Sequence, residues 1–223
     1  GDRCMFGLGC VGKMTSGHFG LEVVELIEIH LDASGGVPIN YQIAERVIAE
    51  CAKHHCTPED FGMDATSASG LADILSQRWS NQFRRIQFGG YATERAVGHG
   101  DNRKSKEVYG NRVTELWFSM QKIVSAQCLR GLDDETAQEL CVRQYEMRGE
   151  KHIVESKRDM KDRTNGTSPD RADCLAILVV IFRDLHGEDG TTGAMAHQVA
   201  VRDDWHFLQK KFDSIHHKKA YAA

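Results

Sequence analysis

Three aspartates stand where a backbone can aim them. Asp64 closes the short run Phe61-Gly62-Met63-Asp64 and precedes a loop of small residues, 65–70. Asp170 and Asp173 follow Ser168-Pro169 and lie three residues apart, so a helix that opens at Pro169 carries both on one face of its first turn. Carboxylates at strand ends and helix starts are donors for hard divalent cations. Two such ions roughly 3.5–4 Å apart can supply a nucleophilic water and stabilise the leaving oxygen of a phosphodiester. Each aspartate also has a plainer reading. Asp64 can cap a helix starting near Leu71, and acidic first turns suit the helix dipole. Asp173, however, runs straight into the apolar stretch 174–180. Its carboxylate is therefore expected to be partly buried and in need of a partner or a metal.

Between these acids lies residues 151–163, with five Lys or Arg against three acids. Such a run is ordinarily solvated surface. Beside a metal site, Lys157, Arg158, Lys161 and Arg163 would instead neutralise DNA phosphates.

The elements that must hold these residues follow from pattern. Residues 3–11 and 21–31 read as strands separated by a glycine-bearing turn, and Pro38 opens a helix with apolar residues at 39, 43, 47 and 48. A short strand ends at Asp64, a helix spans 71–79, and another strand spans 83–88. A polar loop is expected up to Lys104, then one long helix over 108–126. Residues 131–134 read as a loop and N-cap ahead of a short helix, and Gly149-Glu150 reads as the turn of a hairpin. Residues 156–167 read as a polar connection, with Ser168 capping the last strong helix and Pro169 at its first position. Gly187 to Gly193 ends the domain, so the organisation is one domain over 1–186 and a partly ordered extension over 187–223. Strands early and helices between and after them predict an α/β sandwich.

Composition sets the limits. The chain has 223 residues, 41% hydrophobic and 27% charged, enough for one large domain with a solvated surface. No apolar run approaches the roughly 18 residues of a membrane span, and the opening residues lack the form of a secretory leader. A net charge of −4 exerts no global pull on nucleic acid, so any DNA contact needs a local basic patch. Seven cysteines at irregular spacing read as free thiols. Cys51, His54, His55 and Cys56 invite a zinc reading, but no second pair completes four ligands, and the end of a helix explains them. Gly7 to Met14 nearly matches a phosphate-binding loop. Met14 lacks the hydroxyl that such a loop offers to Mg²⁺, and the glycines that follow prevent the required helix, so an ATPase is excluded in this segment.

The segments FGMDATSASGLADIL, VYGNRVTELWFSM, LRGLDDETAQELCVRQYE and IVESKRDMKDRTNGTSPDRADCLAILV, in that order, resemble the nuclease domain of tailed-phage large terminases over roughly residues 1–183. The last segment is the most specific, with a Glu-Ser-Lys strand end, a basic loop and Ser-Pro-Asp-x-x-Asp opening an apolar helix. The resemblance implies an RNase H-like fold, a mixed central sheet flanked by helices with a β-hairpin insertion. It implies an endonuclease that cuts concatemeric double-stranded viral DNA during packaging, using two Mg²⁺ or Mn²⁺ ions. Asp64 matches the family's central-strand acid, and Asp170 and Asp173 match the acids of the closing helix, with the direct ligand differing among relatives. The resemblance further implies the portal and the small terminase subunit as partners and the procapsid portal in the host cytoplasm as the place of action. One departure is that the family carries another catalytic Asp on a first strand, upstream of a Gly-Asp-Arg-like segment. That strand is expected ahead of Gly1, and Asp2 does not match its acid. A resolvase or integrase core, or a non-catalytic DNA- or partner-binding module, are the competing readings.

Overall fold

The computed structural model describes residues 2–66, 69–98, 101–187 and 220–222. Two long strands, β1 (Met5–Lys13) and β2 (Phe19–Glu28), pair antiparallel across a tight turn. Helix α1 (Ile39–Lys53) leads through a 3-10 turn (Pro58–Asp60) to β3 (Gly62–Asp64). Helix α2 (Ser69–Arg78) crosses over to β4 (Arg84–Ile86), which runs parallel to β3. A small hairpin follows, β5 (Ala96–Gly98) with β6 (Asp101–Lys104), and then the short α3 (Ser105–Val108) and the long α4 (Arg112–Ser125). Next come β7 (Leu129–Arg130), α5 (Asp134–Val142), the hairpin β8 (Tyr145–Arg148) and β9 (Lys151–Val154), α6 (Lys157–Arg163) and α7 (Asp170–His186). Strand β10 (Ala220–Ala222) pairs antiparallel with β1 at Leu8 to Cys10.

The largest sheet has the order β10-β1-β2-β7, with β7 parallel to β2, and β3-β4 form a separate pair. Helix α7 joins the two. It packs on β1, β2 and β3 and is covered by α4 and α5. Leu175, Leu178, Val179, Ile181 and Phe182 are all buried, so the helix is apolar around its circumference and needs protein on every side. This is the mixed sheet with flanking helices that the sequence predicts. The close approach of β3 to α7 depends on Gly62. A Cβ there would stand 3.1 Å from Ile177 and 3.4 Å from Ile181. Among the described residues, no helix is long and apolar enough to cross a membrane.

Several local expectations are corrected. Residues 157–163 form α6 where a polar connection was expected, because Ser156 caps the turn by accepting from the Asp159 N–H. The polar stretch before Lys104 holds β5 and β6, paired antiparallel at Ala96–Lys104 and Gly98–Asp101, with Glu94 ahead of β5 bound to Lys104 at 2.8 Å. The helix expected over 108–126 is broken at residues 109–111, where Tyr109 bridges to His152 and Asn111 restarts the helix by accepting from the Thr114 N–H. The cap expected at 131–134 is Asp133, which accepts from the Thr136 N–H. Ser168 does not cap α7. Pro169 holds that position, and the Ser168 hydroxyl lies 2.7 Å from Asp170 and 2.9 Å from Asp2. The expected extension over 187–223 lies outside the described residues apart from Gly187 and 220–222.

Two outcomes follow for α7. Leu178 is 1% exposed, and Leu178→Ala is expected to cost about 2–5 kcal/mol in urea unfolding. At the other end, His186 stacks on Phe19 with ring centroids 4.0 Å apart, and burial pushes its imidazole down to about 4 from 6.5. The folded state therefore favours the neutral ring. Its stabilisation is complete above pH 6.5 and is lost as pH falls towards 4, by at most about 3 kcal/mol. His186→Phe should flatten that part of the stability-versus-pH curve.

Candidate active site

A groove of about 870 Å³ opens between the β3 end, the β8–β9 hairpin and the starts of α6 and α7. Asp64 and Asp173 both line it, 109 positions apart in the chain but on one surface. Asp64 ends β3, and its Oδ1 accepts from the Thr66 N–H at 2.9 Å. The Thr66 hydroxyl in turn accepts from Phe88 N–H at 2.8 Å, which ties the loop after Asp64 to the segment after β4. The Asp64 carboxylate is thus locked locally and keeps Oδ2 available.

Asp173 sits in the first turn of α7, its side chain 14% exposed. Two cations flank it. Lys157 Nζ lies 2.5 Å from Oδ2, and Arg143 lies 3.8 Å from Oδ1. Burial pushes the Asp173 carboxyl above the usual carboxylate range, against the pull of Lys157 and Arg143. Burial alone would lower the Lys157 ammonium. The Asp173 and Asp170 carboxylates outweigh it and hold Lys157 above its ordinary value. Oδ1 of Asp173 is buried and has no hydrogen-bond partner.

Asp170 is placed differently, although it shares the first turn. Its Oδ2 accepts from the Arg3 N–H at 2.8 Å and its Oδ1 takes the Ser168 hydroxyl, with Lys157 3.5 Å away. It faces a second pocket with Arg3, Glu135 and Glu139 rather than the groove. Arg3 also binds Glu135 and Glu139, both at 2.6 Å, so Asp170 belongs to a tether between the start of β1 and helices α5 and α7.

The groove is acidic. Asp2, Asp64, Glu146, Glu155, Asp159 and Asp173 line it against Arg143, Arg148 and Lys157, six acids to three bases. Asp2 pairs with Lys161, and that contact together with the Ser168 hydroxyl holds its carboxyl below the usual range. Of the four basic residues singled out for DNA, Lys157 is engaged with Asp173, Lys161 with Asp2, and Arg163 with Glu155. Arg158 is exposed and makes no ion pair among the described residues. Sequence reasoning missed Arg143 and the pairing of Lys157. Nothing in the run Val142-Arg143-Gln144 signals burial, whereas the Ser156-x-x-Asp159 spacing does signal the helix that aims Lys157. No group of three or more His, Cys, Asp or Glu side chains among the described residues is close enough to hold a metal ion.

The architecture has solved counterparts. The chain matches the nuclease domain of the large terminase subunit gp2 of bacterial virus Sf6 with a TM-score of 0.55 at 14% identity, over 80% of this chain and 89% of that one. The fold is that of a terminase nuclease domain. It is therefore RNase H-like, as the sequence resemblance implies. A lysine-to-alanine mutant of the Sf6 domain with manganese matches with a TM-score of 0.54 at 14% identity, over 73% and 82% of the two chains. A lysine-to-alanine mutant with calcium matches equally well at 13% identity, over 80% and 89%. No family model and no curated relative matches the chain in sequence.

The tether at Asp170 predicts a stability defect. Asp170→Ala leaves the Arg3 N–H without its acceptor, while the Ser168 hydroxyl keeps Asp2, and should cost about 1–3 kcal/mol in chemical denaturation. A loss below about 0.5 kcal/mol would show that Asp170 does not hold the start of β1.

Proposed function

We propose that this chain is the nuclease domain of a phage large terminase, a divalent-metal-dependent endonuclease that cuts concatemeric double-stranded viral DNA during packaging. The observation that carries this reading is that Asp64, at a strand end, and Asp173, at a helix start, line one acidic groove in a fold shared with terminase nuclease domains. The groove's donors fit a hard cation such as Mg²⁺ or Mn²⁺. They are carboxylates, Asp173 keeps a buried oxygen unsatisfied, and the Lys157 ammonium already occupies a cation's place at Oδ2.

Asp64 and Asp173 are the residues that would hold such ions in the groove. When bound, the metal supplies an activated water and stabilises the leaving oxygen of the phosphodiester. The chain's own contributions are positional. The Thr66 N–H fixes the Asp64 rotamer, and the capped first turn of α6 presents Lys157 to Asp173. Lys157 holds Asp173 Oδ2 at 2.5 Å, and with a metal at that carboxylate the same ammonium would be available to a DNA phosphate. Asp170 holds the first turn of α7 and the start of β1 together. Arg158 and Lys161, on α6 beside the groove, are the residues we assign to the duplex backbone, Arg163 serving to anchor the end of α6 through Glu155. In the whole protein, the portal and the small terminase subunit are the partners, at the procapsid portal in the host cytoplasm.

Cleavage of linear duplex DNA in Mn²⁺ tests the reading. Asp64→Asn and Asp173→Asn should each lower the rate by more than about 100-fold, beyond the loss typical of outer-sphere changes around a metal. Metal-free DNA binding should hold or tighten, since each variant removes a negative charge from the groove. Arg158→Ala should reduce the salt slope of binding by about one unit without regard to DNA sequence. An Asp173→Asn protein that cuts like the wild type would sink the assignment.

A further inference from the structure

Asp173 is gripped unequally by its two cations. Lys157 is 42% exposed and reaches Oδ2 from the end of a flexible stem. The Arg143 side chain is 3% exposed and is fixed on two other sides. Its guanidinium lies over the Trp117 ring, 4.3 Å from the centroid. Its Nε and Nη2 both donate to the Glu155 carbonyl, at 3.1 and 2.9 Å. The planar fork then has one free corner, Nη1, and that corner faces Asp173 Oδ1 at 3.8 Å. Nη1 and Oδ1 are both buried, and neither has a hydrogen-bond partner. A donor and an acceptor left unsatisfied side by side, in a place sealed from solvent, attract each other without closing to hydrogen-bond length.

We infer that Arg143 is a positioning residue for Asp173, turning the carboxylate so that Oδ1 faces the interior and Oδ2 faces the groove. The inference rests on the metal reading of the groove given above. Arg143 borders the groove, but the Nη1 corner that faces Asp173 is sealed from solvent. It acts through Asp173. Only arginine can do so here. The fork must hold the Glu155 carbonyl with one edge and present a second nitrogen at a fixed angle, which a lysine ammonium cannot do. Arg143 also adds a positive charge behind the ligand, which opposes an incoming cation. Orientation and repulsion therefore predict opposite signs when the guanidinium is removed.

Mn²⁺ affinity, read from the electron paramagnetic resonance signal of free Mn²⁺, separates the two. It is measured well below the melting temperature of each variant, so that a change in stability alone does not move it. Arg143→Met keeps a stem to pack on Trp117 and removes the fork. It should weaken Mn²⁺ binding about 10- to 100-fold, as loss of an orienting partner does at metal sites. Arg143→Lys retains a buried charge, guards against a folding failure of the methionine variant, and should also bind Mn²⁺ more weakly than the wild type. Wild-type or tighter binding by either folded variant overturns the inference. Asp173→Asn is the control on the reading beneath it. If that variant binds Mn²⁺ like the wild type, the metal assignment fails and this inference with it. If it loses Mn²⁺ while both Arg143 variants hold it, only the role of Arg143 falls.

Discussion

Everything in this fold answers to the burial of one helix. A helix apolar on every face cannot lie on a surface, so α7 must be roofed by strands on one side and helices on the other. Strands β1, β2 and β3 supply the floor, and α4 and α5 the cover. Such a helix meets water only at its ends. Its first turn is where the apolar core gives way to the groove, and a carboxylate there is half in each. Asp173 owes its unusual surroundings to that position. It is buried enough to be pushed up in pKa and open enough to line the groove.

A carboxylate at such a boundary needs positive charge, and the protein supplies it from two directions with different stiffness. Arg143 is held by a ring and a carbonyl, whereas Lys157 arrives on a short capped helix. The same logic recurs at the far side of α4, where buried Glu115 is bound by Arg112 at 2.6 Å and Arg183 at 3.0 Å. That second cluster is closed on itself by Thr93, whose N–H and hydroxyl both donate to Glu115. The comparison shows what distinguishes a carboxylate that only staples helices from one available to a ligand. Both are paired, but only Asp173 has a partner that can leave into solvent.

The outline of this arrangement was legible in the sequence. The strand ending at Asp64, the β8–β9 hairpin and the apolar helix after Pro169 all announce themselves by period and punctuation, and the resemblance tied Asp64 to Asp173 across the chain. What sequence could not separate was Asp170 from Asp173. Three residues apart, they have the same local signature, yet one turns towards Arg3 and the other towards the groove. That difference is set by tertiary partners, Arg3 from 167 positions away for Asp170, and Arg143 and Lys157 from other elements for Asp173. The basic run was legible as charge but not as pairing, because Lys161 and Asp2 are brought together only by the tertiary fold. The hairpin of β5 and β6 was invisible for a related reason. It is built from short polar segments, with no alternation to reveal it, and Glu94 braces it through Lys104 and Lys106.

Gly62 acquires a meaning from this geometry that its own position would not suggest. It lies two residues before Asp64 and presses β3 against the helix that carries Asp173, with no room for a side chain between them. The missing methyl acts as a spacer of zero thickness. It sets how closely the wall bearing one carboxylate approaches the wall bearing the other, and so the gauge of the opening between them. Alanine at position 62 would press on the side chains of Ile177 and Ile86, at 3.1 and 3.2 Å, which would have to give by a few tenths of an ångström. Any such shift would change the opening without the loss of a single charged group, and under the metal role proposed above it would favour a larger, more tolerant ion such as Ca²⁺ over a small, rigidly coordinated one such as Mg²⁺.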